Sequence, residues 1–533
     1  MSSNRVAPAT LEKMLTDGDE IALLDVREEN AFGRGHLLLA INQPLSRLEF
    51  TIRPFVPRLS TRIVLCDEDD GTVERALPVL ESAGYTDLHV LDGGVAAWSD
   101  AGYQLFDGTY VLEHAFGLFV EAEYTTPRIS PQDLRTKLDA GENLVILDSR
   151  PFDEFQSGSL PGAIDLPLGE AVYRIQDVVP DPETQIVAFC AGVTRGTLLA
   201  QSLINAGITN PVMFLPDGTK GWYVSGESLV EGVSQATTDR SETAKAWSAQ
   251  APKQSSERFA ARHIMPAELD AWRAESESRT LYIFDIRTRE EYDDGHLADS
   301  IWIPGGQLVG FTQDYLATRN ARICLVDNDC SRAELVAGWM LQIGWPEVVV
   351  LDGGIGDQGL VTGTTPLGVP ELEKVQVPTI SPTALAGRIQ ACTAVVIDFA
   401  RSAQHIGGHV PGAWWMNRSS LPRLVGRLPT AQTYVATSAS GGAGLLAAAE
   451  LANLVDTPVM ALDGGTAGWR AANLELSTGL LRPIGELDDS YMNFAERPGD
   501  DVATIDAASR RSGIWRKWLL AHYRNDSTLP FLA

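Results

Sequence analysis

The sequence predicts an α/β protein made of four tandem copies of one domain, each a small, mostly parallel sheet flanked by helices. The chain has 533 residues and repeats three short phrases four times. Each repeat spans about 100 residues, which is a usual domain size. Within a repeat, short apolar runs alternate with segments of helical periodicity, a pattern typical of parallel sheets with crossover helices.

The three phrases recur in the same order. The first is an Asp two places before an Arg, at residues 24–27 (LDVR), 147–150 (LDSR) and 284–287 (FDIR), and degraded at 397–401 (IDFAR). The second occurs at residues 35–37 (GHL), 158–163 (GSLPGA), 295–297 (GHL) and 408–413 (GHVPGA). The third occurs at residues 91–94 (LDGG), 216–218 (PDG), 351–354 (LDGG) and 462–465 (LDGG), with Trp98, Trp222 and Trp469 following three of them.

The breaks between phrases predict the domain boundaries. They place domains at residues 1–105, 127–227, 260–357 and 378–475, and leave 476–533 as a C-terminal extension. Only the second domain is predicted to be catalytic.

Three connecting or terminal segments have compositions of their own. The apolar run at 115–120 is expected to pack between domains, and residues 228–258, rich in Ser, Thr, Gln and Ala, predict a flexible or weakly helical linker. Residues 513–520 (GIWRKWLL) predict an amphipathic helix that docks on the protein rather than on a membrane.

Cys190 is the strongest candidate for a catalytic residue. It follows the apolar run 186–189 (IVAF), which predicts a buried strand, and precedes residues 196–207, whose apolar pairs predict a helix ending at a glycine. A thiol between them lies at a helix N-terminus, where free N–H groups and the helix dipole favour a thiolate. The alternative is that Cys190 is a small buried apolar residue.

The loop after Cys190 is predicted to bind the substrate. Its residues are Ala191, Gly192, Val193, Thr194 and Arg195. Backbone N–H groups suit an anion, and the planar, permanently charged Arg195 suits an anionic group with several oxygens. Bracing the following helix is the alternative role for Arg195.

The other three copies lack a thiol at this position. Counting from the flanking repeats, Cys190 corresponds to Asp67, to Asp327, and to either Thr437 or Ser438. A carboxylate lacks the nucleophilicity of a thiolate and would repel an anionic substrate. The chemistry is therefore expected in one domain of the four.

The ordered phrases and the Cys loop together resemble the rhodanese family, over nearly all of residues 1–475. The resemblance implies a sulfurtransferase, in which Cys190 takes sulfane sulfur from thiosulfate or a related small anionic donor. The persulfide then passes the sulfur to cyanide, a thiol or a protein acceptor. The loop of six residues from Cys190 to Arg195 is that of the sulfurtransferases, whereas related phosphatases have a loop one residue longer.

The resemblance also implies roles for residues outside the loop. Asp148 and Arg150 are expected to hold strand ends together as an ion pair, and Glu154 is expected to support the same scaffold. Ser159 departs from the family, because the other copies have His36, His296 and His409 there.

A second hypothesis comes from the three copies without a nucleophile. The chain would then be mainly a scaffold, a sensor or a sulfur carrier that is loaded once at Cys190. Turnover with small donors and acceptors distinguishes the two hypotheses, because an enzyme cycles.

The amino-acid composition limits the kinds of molecule that the protein is expected to bind. With 70 acidic and 42 basic residues the net charge is −28, which disfavours nucleic acid and membrane surfaces as partners. Five cysteines without Cys-x-x-Cys spacing, and no apolar signal core, predict a reducing cytoplasm. Cys324 and Cys330 are close enough in sequence for a disulfide, although two unrelated thiols are favoured. No cofactor and no metal site are expected.

Overall fold

The computed structural model describes residues 4–233, 240–251, 260–356, 359–363, 368–480, 482–491 and 502–529, with backbone only for 502–512. Each of the four predicted repeats contains a parallel sheet flanked by helices, so the predicted fold class is confirmed. The central strands are buried on both faces, which explains why they appear in the sequence as short, almost continuous apolar runs.

The first sheet has the order β1-β5-β4-β2, with β3 also pairing with β2. Its strands are β1 (Asn4–Val6), β2 (Ile21–Asp25), β3 (Ile41–Asn42), β4 (Arg62–Cys66) and β5 (Leu88–Leu91). Its helices are α1 (Pro8–Thr16), α2 (Glu29–Arg34), α3 (Leu48–Phe55), α4 (Thr72–Ser82) and α5 (Gly94–Asp100), followed by α6 (Val111–Tyr124).

The second sheet has the order β7-β6-β8-β9 and is parallel throughout. Its strands are β6 (Leu144–Asp148), β7 (Ile164–Asp165), β8 (Gln185–Phe189) and β9 (Val212–Phe214). Its helices are α7 (Pro131–Asp139), α8 (Phe152–Ser157), a 3₁₀ turn at Leu168–Glu170, α9 (Ala171–Val178), α10 (Thr194–Asn205) and α11 (Gly218–Val224), with α12 (Glu242–Ser248) after it.

The third sheet has the order β10-β16-β15-β11-β13. The strands of this part are β10 (Arg262–Ile264), β11 (Leu281–Asp285), β12 (His296–Leu297), β13 (Ile301–Trp302), β14 (Thr318–Arg319), β15 (Arg322–Val326), β16 (Val348–Leu351) and β17 (Leu360–Val361). The helices are α13 (Pro266–Ala274), α14 (Arg289–Asp294), α15 (Gly305–Gly310), a 3₁₀ turn at Thr312–Asp314 and α16 (Ser331–Ile343). Strand β14 pairs antiparallel with β2, so this domain extends the first sheet.

The fourth sheet has the order β18-β22-β21-β19-β20. Its strands are β18 (Thr379–Ile380), β19 (Val395–Asp398), β20 (Trp414–Trp415), β21 (Tyr434–Thr437) and β22 (Val459–Leu462). The helices are α17 (Pro370–Glu373), α18 (Pro382–Gln390), α19 (Ser402–Gly407), 3₁₀ turns at Arg418–Ser420 and Val425–Arg427, α20 (Leu421–Leu424), α21 (Gly442–Ala452) and α22 (Gly465–Ala471). A terminal helix, α23 (Val502–Arg524), completes the chain.

The predicted apolar segment between the first two domains is buried. It forms α6, which packs against α10, α16 and α23. Phe116 and Val120 are fully buried there. The predicted docking helix is also confirmed, because Leu519 and Tyr523 of α23 are buried in the same core. These contacts join the second domain, the third domain and the C-terminal extension through one helix.

The predicted linker at 228–258 contains an ordered helix. This helix, α12, packs against α9 of the second domain. Residues 234–239 and 252–259 of the linker lie outside the described residues. Across the described part of the chain, no helix is long and apolar enough to cross a membrane.

Candidate active site

Cys190 lies between the end of β8 and the start of α10, as the sequence predicts. The helix begins at Thr194, however, so Arg195 lies in its first turn rather than in the loop. Val193 already has helical backbone angles, and its carbonyl accepts a hydrogen bond from the Thr197 hydroxyl at 2.9 Å. The loop proper is therefore only three residues long, and it brings the helix N-terminus close to the thiol.

The Cys190 sulfur is buried, with 3% of the residue exposed. The backbone N–H of Gly192 donates to Sγ at 3.2 Å. The Cys190 carbonyl accepts from the N–H of Thr219 at 2.9 Å. A Cβ on Gly218 would lie 1.7 Å from that carbonyl oxygen, so only glycine fits there. The third repeated phrase thus supports the backbone of the Cys loop.

Arg195 is held on several sides. Its guanidinium donates to both carboxylate oxygens of Glu154, at 2.7 and 2.9 Å. It also donates to the Gln307 side-chain oxygen at 2.7 Å and lies 4.9 Å from the centre of the Phe311 ring. Burial opposes the charge, but Glu154 and the nearby Cys190 raise the pKa of Arg195.

The third domain thus contributes to the surroundings of Arg195. Gln307 lies in α15, and Phe311 follows that helix directly. The sequence analysis missed both residues, because no pattern in a single repeat shows which domain packs against another.

The third domain has a reciprocal arrangement around Arg332. This guanidinium donates to both oxygens of Glu291, at 2.8 and 3.1 Å, and to Glu170 of the second domain at 2.9 Å. It lies 4.0 Å from the centre of the Tyr173 ring, also in the second domain. The second and third domains therefore each place residues around the other's arginine.

Asp148 and Arg150 form a buried, two-pronged ion pair. Nε of Arg150 donates to Oδ1 at 2.9 Å, and a terminal nitrogen donates to Oδ2 at 2.7 Å. The same guanidinium reaches the Gly158 carbonyl at 2.6 Å, which ties the end of β6 to the end of α8. The Ser159 hydroxyl adds a bond to Asp148 at 2.8 Å.

The pair recurs in two other copies and is replaced in the fourth. Arg27 pairs with Asp25, and Arg287 pairs with Asp285. In the fourth domain Ala400 stands at the arginine position, and His405 Nδ1 lies 2.7 Å from Asp398 instead. The three histidines that correspond to Ser159 are buried, and each contacts the carbonyl four residues earlier.

The sheet register identifies the counterparts of Cys190. Asp148 pairs with Phe189 across the ladder, and Asp398 pairs with Thr437 in the same way. The residue after the strand is therefore Ser438, which settles the choice between Thr437 and Ser438. The register of the first and third sheets likewise places Asp67 and Asp327 at the position equivalent to that of Cys190.

Each of these counterparts accepts a hydrogen bond from a backbone N–H group at the start of the helix that follows it. Asp67 accepts from the N–H of Val73 at 2.9 Å, and Asp327 accepts from the N–H of Arg332 at 2.8 Å. The Ser438 hydroxyl accepts from the N–H of Gly444 at 3.0 Å. In these copies an internal oxygen fills the position that an external anion would need.

The other thiols do not share this environment. Burial raises the pKa of Cys324 to about 12 and that of Cys330 to about 11, and raises the pKa of Cys66 well above its ordinary value. All five cysteines are free.

A cavity of about 530 Å³ opens beside the segment that supports Cys190. It is lined by Asp217 and Lys220 of that segment, by Arg128, and by Arg516 from α23. Arg516 pairs with Asp217. Three cationic side chains and the Asp217 carboxylate therefore line this cavity, and Arg128 also pairs with Glu121 at 3.2 Å.

Comparison with known proteins identifies the repeat. The family model of the Rhodanese-like domain matches residues 7–101, 130–225, 265–357 and 381–472. Over 99% of both chains, the structure is similar to the crystal structure of a thiosulfate sulfurtransferase from Pseudomonas aeruginosa, with a TM-score of 0.91 and 38% identity.

Two curated relatives cover smaller parts of the chain. One is named a candidate sulfur carrier protein, YrkF of Bacillus subtilis, 24% identical over 31% of this chain and 94% of its own length. The other is named a candidate thiosulfate sulfurtransferase, SseB of Mycobacterium tuberculosis, 25% identical over 31% of this chain and 71% of its own. Relatives of these kinds support an activity in sulfur transfer or sulfur carriage. With four matching domains across most of its length, the chain belongs to the rhodanese family.

Proposed function

We propose that this protein is a thiosulfate sulfurtransferase in which Cys190 carries the sulfur as a persulfide. The observation that carries the proposal is the contrast among four equivalent positions. Three hold an oxygen side chain bonded to its own helix N-terminus, and one holds a thiol whose sulfur accepts the Gly192 N–H. The similarity to the Pseudomonas aeruginosa thiosulfate sulfurtransferase supports the choice of donor.

The first half-reaction loads the enzyme. The Cys190 thiolate attacks the outer sulfur of thiosulfate, the sulfur–sulfur bond of thiosulfate breaks, and sulfite leaves with the electron pair. The outer sulfur stays on Cys190 as a persulfide. The Gly192 N–H, which donates to Sγ at 3.2 Å, stabilises the negative charge on sulfur, and the other N–H groups of residues 191–195 are proposed to assist it.

The second half-reaction unloads the enzyme. Cyanide or a cellular thiol attacks the outer sulfur of the persulfide, and Cys190 leaves as a thiolate. Thiocyanate or a new persulfide is released, and the cycle is of the ping-pong type. A protein thiol is an equally suitable acceptor.

Arg195 is proposed to attract the sulfonate end of the donor. Its contacts with Glu154 and Gln307 fix the guanidinium at the start of α10, near the sulfur. The same contacts also brace the helix, which is the competing role. Because the chain as a whole is strongly acidic, Arg195 and the loop N–H groups must supply the local attraction for an anionic donor.

The free state of all five cysteines suits a reducing compartment. We place the protein in the cytoplasm on that ground.

Intact mass spectrometry tests the proposal. Purified protein, Cys190→Ala and the matched variant Cys330→Ala are incubated with thiosulfate, weighed, and then treated with cyanide. We expect the native chain and Cys330→Ala to gain one sulfur atom and to release it as thiocyanate, while Cys190→Ala stays unchanged. Loading of Cys190→Ala, or no loading of the native chain, would contradict the proposal.

The carrier hypothesis predicts a different time course. A carrier gains one sulfur and releases it to a partner protein, but does not cycle when thiosulfate and cyanide are both in excess. Counting thiocyanate molecules formed per chain separates the two, because a transferase exceeds one.

A further inference from the structure

The third domain brings together side chains of three elements at its surface. They are His263 of β10, Cys330 in the turn before α16, and Asp352 directly after β16. One ligand atom from each lies within 4.8 Å of those from the other two. These residues are far apart in the sequence, and only the parallel pairing of β10 with β16 and the turn before α16 make them neighbours.

The His263 ring lies between two carboxylates. Its Nε2 lies 3.0 Å from Glu334, and its Nδ1 lies 3.6 Å from Asp352. The first distance is that of a hydrogen bond, and the second is too long for one. It fits two atoms that bind the same ion, because ligand atoms about 2.0–2.2 Å from a tetrahedral zinc lie roughly 3.4 Å apart.

In the first domain the position equivalent to His263 is occupied by an arginine. In the strand register Arg5 pairs with Val90, as His263 pairs with Val350. The guanidinium of Arg5 contacts Glu74 at 2.7 Å, Asp92 at 3.4 Å and Asp69 at 3.9 Å. A built-in cation therefore balances the carboxylates of the first domain.

The third domain keeps carboxylates at this place, but His263 stands where the first domain has Arg5. Asp329, the counterpart of Asp69, pairs instead with Arg240 at 2.7 Å. His263 offers a ring nitrogen lone pair, where arginine offers only donors. Cys330 adds a thiol in a backbone conformation, φ +68°, that Gly71 and Gly441 adopt at the corresponding turns of the first and fourth domains. His263 and Cys330, which stand where the first domain has Arg5 and Gly71, are thus both able to bind a metal.

We propose that His263, Cys330 and Asp352 bind a zinc ion, with the Cys330 sulfur, the His263 Nδ1 and an Asp352 oxygen as ligands. Thiolate, imidazole and carboxylate together favour zinc over calcium or magnesium, which prefer oxygen alone. Glu334 holds the other ring nitrogen, the usual arrangement for a zinc-bound histidine. His263 and Asp352 are partly exposed, so water completes the coordination, and binding releases the thiol proton.

This site is independent of Cys190 and does not rest on the proposed sulfur transfer. It also differs from the expectation that the chain has no metal site.

Titration of the full-length chain with Co²⁺, a spectroscopic substitute for Zn²⁺, tests the proposal. We expect one equivalent of Co²⁺ to produce a sulfur-to-cobalt charge-transfer band in the near ultraviolet, which Zn²⁺ then removes. Cys330→Ser should lose that band. His263→Gln should weaken binding by more than the roughly 10- to 100-fold typical of outer-shell changes.

Matched variants keep the result unambiguous. Cys190→Ala and Cys392→Ala should retain the band, and thermal unfolding should show that Cys330→Ser remains folded. A native chain without the band, or a band that survives Cys330→Ser, would overturn the proposal. So would a band lost in Cys190→Ala, because the ion would then lie at the Cys loop of the second domain.

Discussion

Cys190 differs from its counterparts in a single side chain, and that difference changes what the helix N-terminus can bind. Asp67 and Asp327 reach their own backbone N–H groups and fill the anion position permanently. The Cys190 sulfur instead accepts from the Gly192 N–H of the loop, which leaves the N–H groups at the start of α10 for a substrate. We therefore expect the same local fold to be closed to anions in these three copies and open in the second domain.

The role of Arg195 in binding the donor can be tested by substitution. We expect Arg195→Lys to raise the KM for thiosulfate roughly 10- to 100-fold, because a charge-assisted hydrogen bond contributes about 1.5–3 kcal/mol. Lysine keeps the charge but loses the two-pronged geometry. Steady-state kinetics with thiosulfate and cyanide measure the change.

Arg273→Lys is the matched control, since Arg273 makes a two-pronged pair with Asp299 within the third domain, which lacks the thiol. Its KM should stay at the native value. If Arg195→Lys lowers only the melting temperature and leaves KM unchanged, Arg195 braces α10 and does not bind the donor.

At the scale of elements, α6 couples the Cys loop to the third domain. Glu113 of α6 accepts from the Thr194 hydroxyl through its carbonyl, at 3.1 Å. Its carboxylate accepts from the Thr312 hydroxyl and from the N–H of Gln313. Burial raises the pKa of Glu113 to about 7. One buried residue thus links the start of α10, through its backbone carbonyl, to the turn that follows Phe311, through its carboxylate.

Glu113 makes stability depend on pH in a specific direction. Between about pH 4.5 and 7 the unfolded chain loses this proton while the folded chain keeps it, so stability falls as the pH rises. The loss is at most about 3 kcal/mol, at 1.36 kcal/mol for each pH unit of difference. In Glu113→Gln we expect the denaturation midpoint to depend less on pH in this range.

Glu123→Gln provides the comparison, because Glu123 lies on the same helix but is exposed. A plot of its denaturation midpoint against pH should run parallel to that of the native chain. A Glu113→Gln curve that also runs parallel would show that the buried carboxyl does not titrate in this range.

At the scale of the whole molecule, the second and third domains meet through glycines. A Cβ on Gly306 would lie 2.9 Å from the Leu168 Cβ and 3.1 Å from the Gly169 nitrogen. This close approach brings Gln307 to Arg195 and Glu170 to Arg332. The domain contact and the surroundings of the Cys loop therefore depend on each other.

Gly306→Ala tests that dependence. We expect the unfolding free energy to fall by about 1–3 kcal/mol, as for an overpacked core, and sulfur transfer to fall as Gln307 moves. Gly387→Ala in α18 is the control, since no atom lies within 4 Å of its added Cβ, and it should be neutral or stabilising by up to about 1 kcal/mol. Native activity and stability in Gly306→Ala would show that the contact tolerates a wider spacing.

The sequence by itself determined the repeat, the fold class and the position of the thiol. Strand and helix periodicity are local properties, and the Asp-x-Arg, Gly-His and Asp-Gly-Gly phrases each serve one turn or strand end. The Asp148–Arg150 pair and the glycine beside the Cys190 carbonyl show why those residue types recur. Even the docking of residues 513–520 followed from their amphipathic pattern.

Only the tertiary structure decided which residues of different domains meet. The pairing register of the strands identified Ser438, not Thr437, as the equivalent of Cys190 in the fourth domain. Counting residues in the sequence could not decide this, because it cannot locate a one-residue gap in a loop. Gln307 and Phe311 reach Arg195 from another domain, and His263 and Cys330 meet across a sheet edge and a turn. Such contacts depend on packing between surfaces that no single repeat encodes, which is why the sequence alone did not reveal them.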